Sequence, residues 1–196
     1  MHGMTSDTPA TPETKHLFVL GFPNREGADR AVAGLESLER DRYLEVRDHA
    51  ILTKDTDGTM HVAENKEAGH STGHGLVTGG LAGAFVAVLS GPIGIGAVVA
   101  GAGIGAVANA LTGAGFKRGD LDEVGGLMEG GRTLLLVAVR PGDASRLRDA
   151  IGDLPELVAA DRRWEAEVSG ESKDVLRDAI AQWREQHPAE GPTTEP

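Results

Sequence analysis

From Ala68 to Phe116 the chain carries no Asp, Glu, Lys or Arg, although 25% of its 196 residues are charged. The block reads AGHSTGHGLVTGGLAGAFVAVLSGPIGIGAVVAGAGIGAVANALTGAGF, with Gly91-Pro92 dividing it. Proline lacks an amide hydrogen and its ring clashes with the preceding turn, so two helical arms are predicted rather than one long helix. Glycine in a helix interior costs roughly 0.8–1 kcal/mol relative to alanine, so its density here needs a compensating contact. Gly75, Gly79, Gly83, Ala87 and Gly91 recur at every fourth position, as do Ala97, Gly101, Gly105, Asn109 and Gly113. That spacing aligns small residues into a ridge along one helix face and lets two backbones approach closely. The expectation is a glycine-zipper hairpin over 69–116. Its larger side chains, such as Phe85 and Leu89, point toward lipid, the sheet or another subunit, and Asn109 supplies an interhelical hydrogen bond.

Arm length bears on the medium. Gly75–Ser90 is 16 residues, about 24 Å as a helix, and Ile93–Ala114 is 22 residues, about 33 Å. A hydrocarbon core of roughly 30 Å is matched by the second arm and not by the first. A hairpin that dips into or spans a bilayer would have Lys117-Arg118 at its exit, which places both ends on the cytoplasmic face. The alternative is a soluble hairpin whose apolar side is covered by the sheet or by a second copy.

The flanking segments read as one α+β domain interrupted by this block. His16-Leu17-Phe18-Val19-Leu20-Gly21-Phe22 has the apolar run of a central strand, stopped by Pro23-Asn24. Arg25 to Asp41 places Ala28, Ala31, Val32, Leu35 and Leu38 on one helical face. Strands follow at 43–54 and 59–64 around the turn Asp55-Thr56-Asp57-Gly58. Beyond the block, Asp120 is expected to cap a helix through Glu129. TLLLVAV between Arg132 and Arg140 is a buried strand, 144–152 a helix, 157–168 a strand and 173–186 an amphipathic helix bearing Val175, Leu176, Ala179, Ile180 and Trp183. Two β-α-β units in tandem predict a ferredoxin-like antiparallel sheet with helices on one face, built from halves at 16–66 and 117–187. Residues 1–15 and 188–196 are rich in Pro, Thr and acidic residues and read as disordered tails.

Chemistry is sparse. A net charge of −11 and an acidic pI near 5.0 argue against a nucleic-acid groove. With no cysteine, disulfides and thiolate chemistry are excluded. His70 and His74 lie four apart and are read as a pH-sensitive hinge at the hairpin entrance rather than as metal ligands, because Gly73 weakens a helix there. Gly101, Gly103 and Ala106 fit G-x-G-x-x-A, but no strand precedes them, and helix packing accounts for them better. No catalytic, cofactor or metal site is predicted.

HLFVLGF, the helix GADRAVAGLESLER, the acidic-turn hairpin, the glycine hairpin and GGRTLLLVAV together resemble one bacterial family, over roughly Leu17 to Ile180. It is catalogued as domain of unknown function 1269, and its members are described as predicted membrane proteins. The resemblance implies a membrane-linked protein and brings no catalytic residues with it. The expected function is therefore non-enzymatic: association with the cytoplasmic face of the membrane and self-association through the hairpin. A soluble homo-oligomeric or ligand-sensing module in the cytoplasm is the alternative.

Overall fold

The computed structural model describes residues 14–56, 58–64, 82–89, 102–169, 172, 175, 178–182, 185, 193 and 194. Five strands form an antiparallel sheet in the order β5-β1-β4-β2-β3: β1 is Lys15–Phe22, β2 Val46–Lys54, β3 Met60–Glu64, β4 Thr133–Val139 and β5 Arg162–Val168. A two-residue β6, Thr193–Thr194, lies parallel to the outer edge of β3. Because β1 and β2 both run antiparallel to β4, they are parallel to each other with β4 between them. The same relation holds for β4 and β5 around β1. Helix α1, Arg25–Arg40, makes the first crossover, and α5, Ala144–Asp153, makes the second.

β4 explains why TLLLVAV has no polar alternation, since all seven residues are buried. Leu135, Val137 and Val139 join Phe18, Leu20, Phe22 and Ile51 beneath α1 and α5. Leu134, Leu136 and Ala138 face the opposite way, with Leu17, Val19, Ala50 and Leu52. A strand covered on both faces needs apolar side chains at every position. Edge strand β5 alternates instead, with Trp164, Ala166 and Val168 buried and Arg163, Glu165 and Glu167 exposed.

Helices cover both faces, where the tandem β-α-β pattern predicts one. The second layer is built from α2, Ala82–Leu89, α3, Ala102–Gly113, and α4, Arg118–Glu129. The physical reason is the apolar second face of the sheet, which is excluded from water when the uncharged block folds onto it. Residues 69–81 and 90–101 of the predicted hairpin lie outside the described residues, as do 1–13 and 186–192 of the chain ends.

Three local expectations need correction. Asp120 does not cap α4. The helix starts at Arg118 with Lys117 as N-cap, and Asp120 accepts from the Lys117 amide at 3.2 Å from inside the first turn. The predicted strand over 157–168 begins only at Arg162. Pro155 opens a helical turn instead, α6, Pro155–Val158, which buries Leu157. Val175, read as part of an apolar stripe, is 54% exposed, whereas Ala179 and Ile180 are buried in the second layer.

Candidate functional site

Of the predicted ridge residues, Gly83 and Ala87 lie in α2, and Gly105, Asn109 and Gly113 in α3. In α2, Ala84, Phe85, Val86 and Ala87 are all fully buried and Leu89 nearly so. Four consecutive helical residues span about 300° around the axis at 3.6 residues per turn. Along this stretch α2 is therefore enclosed on nearly every side. Its neighbours are the sheet, α3 and, at one end, the ring of Phe116, which meets Phe85 edge to face at 5.3 Å between centroids. Lys54, at the end of β2, donates from Nζ to the Leu89 carbonyl at 3.1 Å. A cation there complements both an unsatisfied carbonyl and the negative end of the helix dipole.

α3 is one-sided. Val107, Ala108, Ala110 and Leu111 are buried, while Asn109, Thr112 and Gly113 face outward. Asn109 does make an interhelical bond, but the partner is α4 rather than α2. Its Oδ1 accepts from Arg118 Nη2 at 3.2 Å on the surface. Among the described residues, a Cβ at Gly113 would meet no atom within 4 Å. The chain turns away directly afterwards, through Gly115 at φ +101°, and the Ser172 hydroxyl donates to the Gly113 carbonyl at 3.4 Å. Of the remaining ridge, Ala87 is buried, Gly83 lies within α2 and Gly105 within α3. Gly75, Gly79 and Gly101, like His70 and His74, lie outside the described residues.

Two polar constellations sit on the other side of the sheet, where sequence reasoning assigned nothing. Arg148 on α5 grips Glu165 on β5 through Nε and Nη2 at 2.8 and 2.9 Å, and His16 Nδ1 on β1 lies 3.2 Å from the same carboxylate. The two bonds from Arg148 and the one to His16 hold the Glu165 carboxyl below its usual pKa range, against a smaller opposing effect of burial. This cluster ties β1, β5 and α5 together, and His16 and Glu165 are 149 positions apart, so no local pattern announces it.

The second constellation is an open cleft of about 410 Å³ where the end of α1 meets the start of β2, the end of β4 and the start of α5. Leu44 forms its apolar floor. Arg140 pairs with Glu45 at 3.1 Å, and Arg146 with Asp143 at 3.0 Å. Glu39 accepts from the Val46 amide at 2.9 Å, and burial raises its pKa, partly offset by that bond. Arg42 also lines the cleft, with a backbone φ of +57°. Its amide donates to the Glu39 carbonyl, and the Tyr43 amide donates to the Leu38 carbonyl. Those two bonds close α1 as a Schellman motif, in which the left-handed position normally holds glycine.

Among the described residues, no three His, Asp or Glu side chains are grouped so as to hold a metal ion, and no helix is long and apolar enough to cross a membrane. Compared with known proteins, the chain matches no family model, no curated protein and no solved structure.

Proposed function

We propose that this chain is a non-enzymatic, membrane-associated protein that self-associates through a Gly/Ala-ridged hairpin carried on a ferredoxin-like frame. The frame reading is supported by the two interleaved crossovers, β1-α1-β2 around β4 and β4-α5-β5 around β1, with α1 and α5 sharing one apolar cluster. In that reading β3 is an added edge strand and α2–α4 are the insertion. The observation that carries the functional reading is the enclosure of α2, which roots the uncharged block on the sheet. The same block supplies two further uncharged stretches, 68–81 and 90–101, next to that root. Uncharged, glycine-rich chain attached to a rigid anchor suits insertion among lipid headgroups or against a second copy.

A soluble homo-oligomer is the second reading, favoured by the polar outward side of α3 at Asn109 and Thr112. Flotation of the full chain with phosphatidylcholine–phosphatidylglycerol vesicles separates the two. Co-flotation, with crosslinked dimers or larger species on the vesicles, is the expected result. Recovery solely in the lipid-free fraction as a defined oligomer replaces the membrane reading with the soluble one, and a monomer in both fractions overturns self-association. Gly105→Leu should reduce crosslinking in either medium if the ridge mediates packing.

A further inference from the structure

The charged cleft on the α1/α5 side is independent of the hairpin. It holds three guanidinium groups, on Arg42, Arg140 and Arg146, and three carboxylates, on Glu39, Glu45 and Asp143. Two of each are consumed internally, Arg140 with Glu45 and Arg146 with Asp143. What is left is one cation and one carboxylate. Among the described residues no side-chain hydrogen bond or ion pair engages the Arg42 guanidinium, and Glu39 uses one oxygen on the Val46 amide.

Arg42 also occupies a backbone position that disfavours it. A side chain at φ +57° is strained where glycine is not, and the Schellman turn would close equally well without one. Residues held in such conformations without local benefit concentrate at binding sites. The volume, about 410 Å³, falls within the range of small-molecule sites, roughly 300–1,000 Å³. The lining is charged rather than apolar, which selects a ligand with charges of its own. In a protein of net charge −11, this cleft is formally neutral and bipolar.

We infer that the cleft binds a small zwitterion of the α-amino-acid class, its carboxylate on Arg42 and its ammonium on Glu39. The guanidinium offers two parallel N–H donors that match a carboxylate, and the free Glu39 oxygen accepts from an ammonium. Neither end requires breaking the Arg140–Glu45 or Arg146–Asp143 pair, which line the same cleft.

The test is calorimetric titration of the full chain with the standard L-amino acids one at a time. The best binder is then compared with its N-acetyl and C-amide forms. At least one amino acid should bind saturably, and both blocked forms should bind about tenfold more weakly or worse, tenfold being 1.4 kcal/mol. Arg42→Gly relieves the backbone strain while removing the cation. It should melt at or above the wild-type temperature yet lose affinity about tenfold or more. Glu39→Gln, which keeps an acceptor for the Val46 amide, should lose affinity for the amino acid while binding its N-acetyl form no worse than the wild type does. Absence of binding by every amino acid overturns the proposal. Equal binding of a blocked form, or wild-type affinity in Arg42→Gly or in Glu39→Gln, does so as well.

Discussion

Helices α1 and α5 cover one face of the sheet with an apolar stripe and turn a charged side to water, whereas α2 covers the other face with no charge at all. In α1, Ala28, Ala31 and Leu35 point inward, while Arg25–Asp29 and Arg30–Glu26 pairs line the outer surface. In α2, the four consecutive buried residues Ala84–Ala87 leave little outer surface along that stretch to charge. The contrast shows that missing charge marks enclosure before it marks lipid. A helix at the surface needs a polar side, and one surrounded by protein on nearly all sides cannot afford it.

The largest test of this comparison is truncation on each face. Phe85→Ala should destabilise by about 3–5 kcal/mol and Leu147→Ala by about 2–5 kcal/mol, read from urea unfolding midpoints. If the two helical layers fold as one unit, both substitutions shift a single transition. Loss of hydrogen-exchange protection in α2 and α3 alone after Phe85→Ala, with the global midpoint unchanged, would break the comparison and make the α2–α3 layer a separate cooperative unit.

Smaller effects sharpen it. Gly115→Ala should cost about 1–2 kcal/mol, because the turn out of α3 needs φ +101°. Gly113→Ala should have the opposite sign, stabilising by up to about 1 kcal/mol, since a methyl group there meets open space. A loss of stability in a thermal melt of Gly113→Ala would instead mark that residue as a packing position. Lys54→Met removes the cation from the C-terminal carbonyl of α2 and should cost about 0.3–1 kcal/mol.

The smallest effects are those of pH, and they belong to the α1/α5 side. Burial holds the His49 imidazole below its usual value of 6.5, with Asp48 and Glu36 opposing. The unfolded chain therefore takes up that proton first, so the His49 contribution is complete above 6.5 and is lost as pH falls through 6.5 toward the folded value. Glu39 acts with the other sign. Its folded pKa lies above 4.5, so stability declines as pH rises from 4.5 through the folded value. Melts of His49→Gln and Glu39→Gln across these two windows should each flatten the corresponding slope. An unchanged slope in either variant removes that residue from the pH response.

Much of the sheet and its first helical layer is legible in the chain. Helix α1 follows from apolar spacing, β4 from the run TLLLVAV, and the β2–β3 hairpin from a turn whose Gly58 adopts φ +92°. Asn24, read from the sequence only as part of the stop after β1, also caps α1, its side chain accepting from the Gly27 amide at 2.9 Å. Pro155 carried the signal for the helical turn that stands where the expected strand was to begin, because proline favours the first helical position. The cleft and the Arg148–Glu165–His16 cluster were not legible. Their members come from different strands and helices, and each taken singly looks like an ordinary surface charge. Asn109 lies between these cases, for its bonding role could be anticipated but its partner on α4 could not.

The sequence by itself determined that the central block is uncharged and poor in bulk, and it pointed to helix where Ala82–Leu89 and Ala102–Gly113 are helical, because residue spacing is a local property of the chain. It also determined the alternation and the runs that make the sheet. Only the tertiary structure decided what covers what: for the described helices of the block, the covering surface is the second face of the protein's own sheet. The reason is that the hydrophobic effect has no direction. Apolar residues encode a need for burial, and lipid, a second copy or the same chain can each satisfy it, so the partner is chosen by geometry that no local pattern contains.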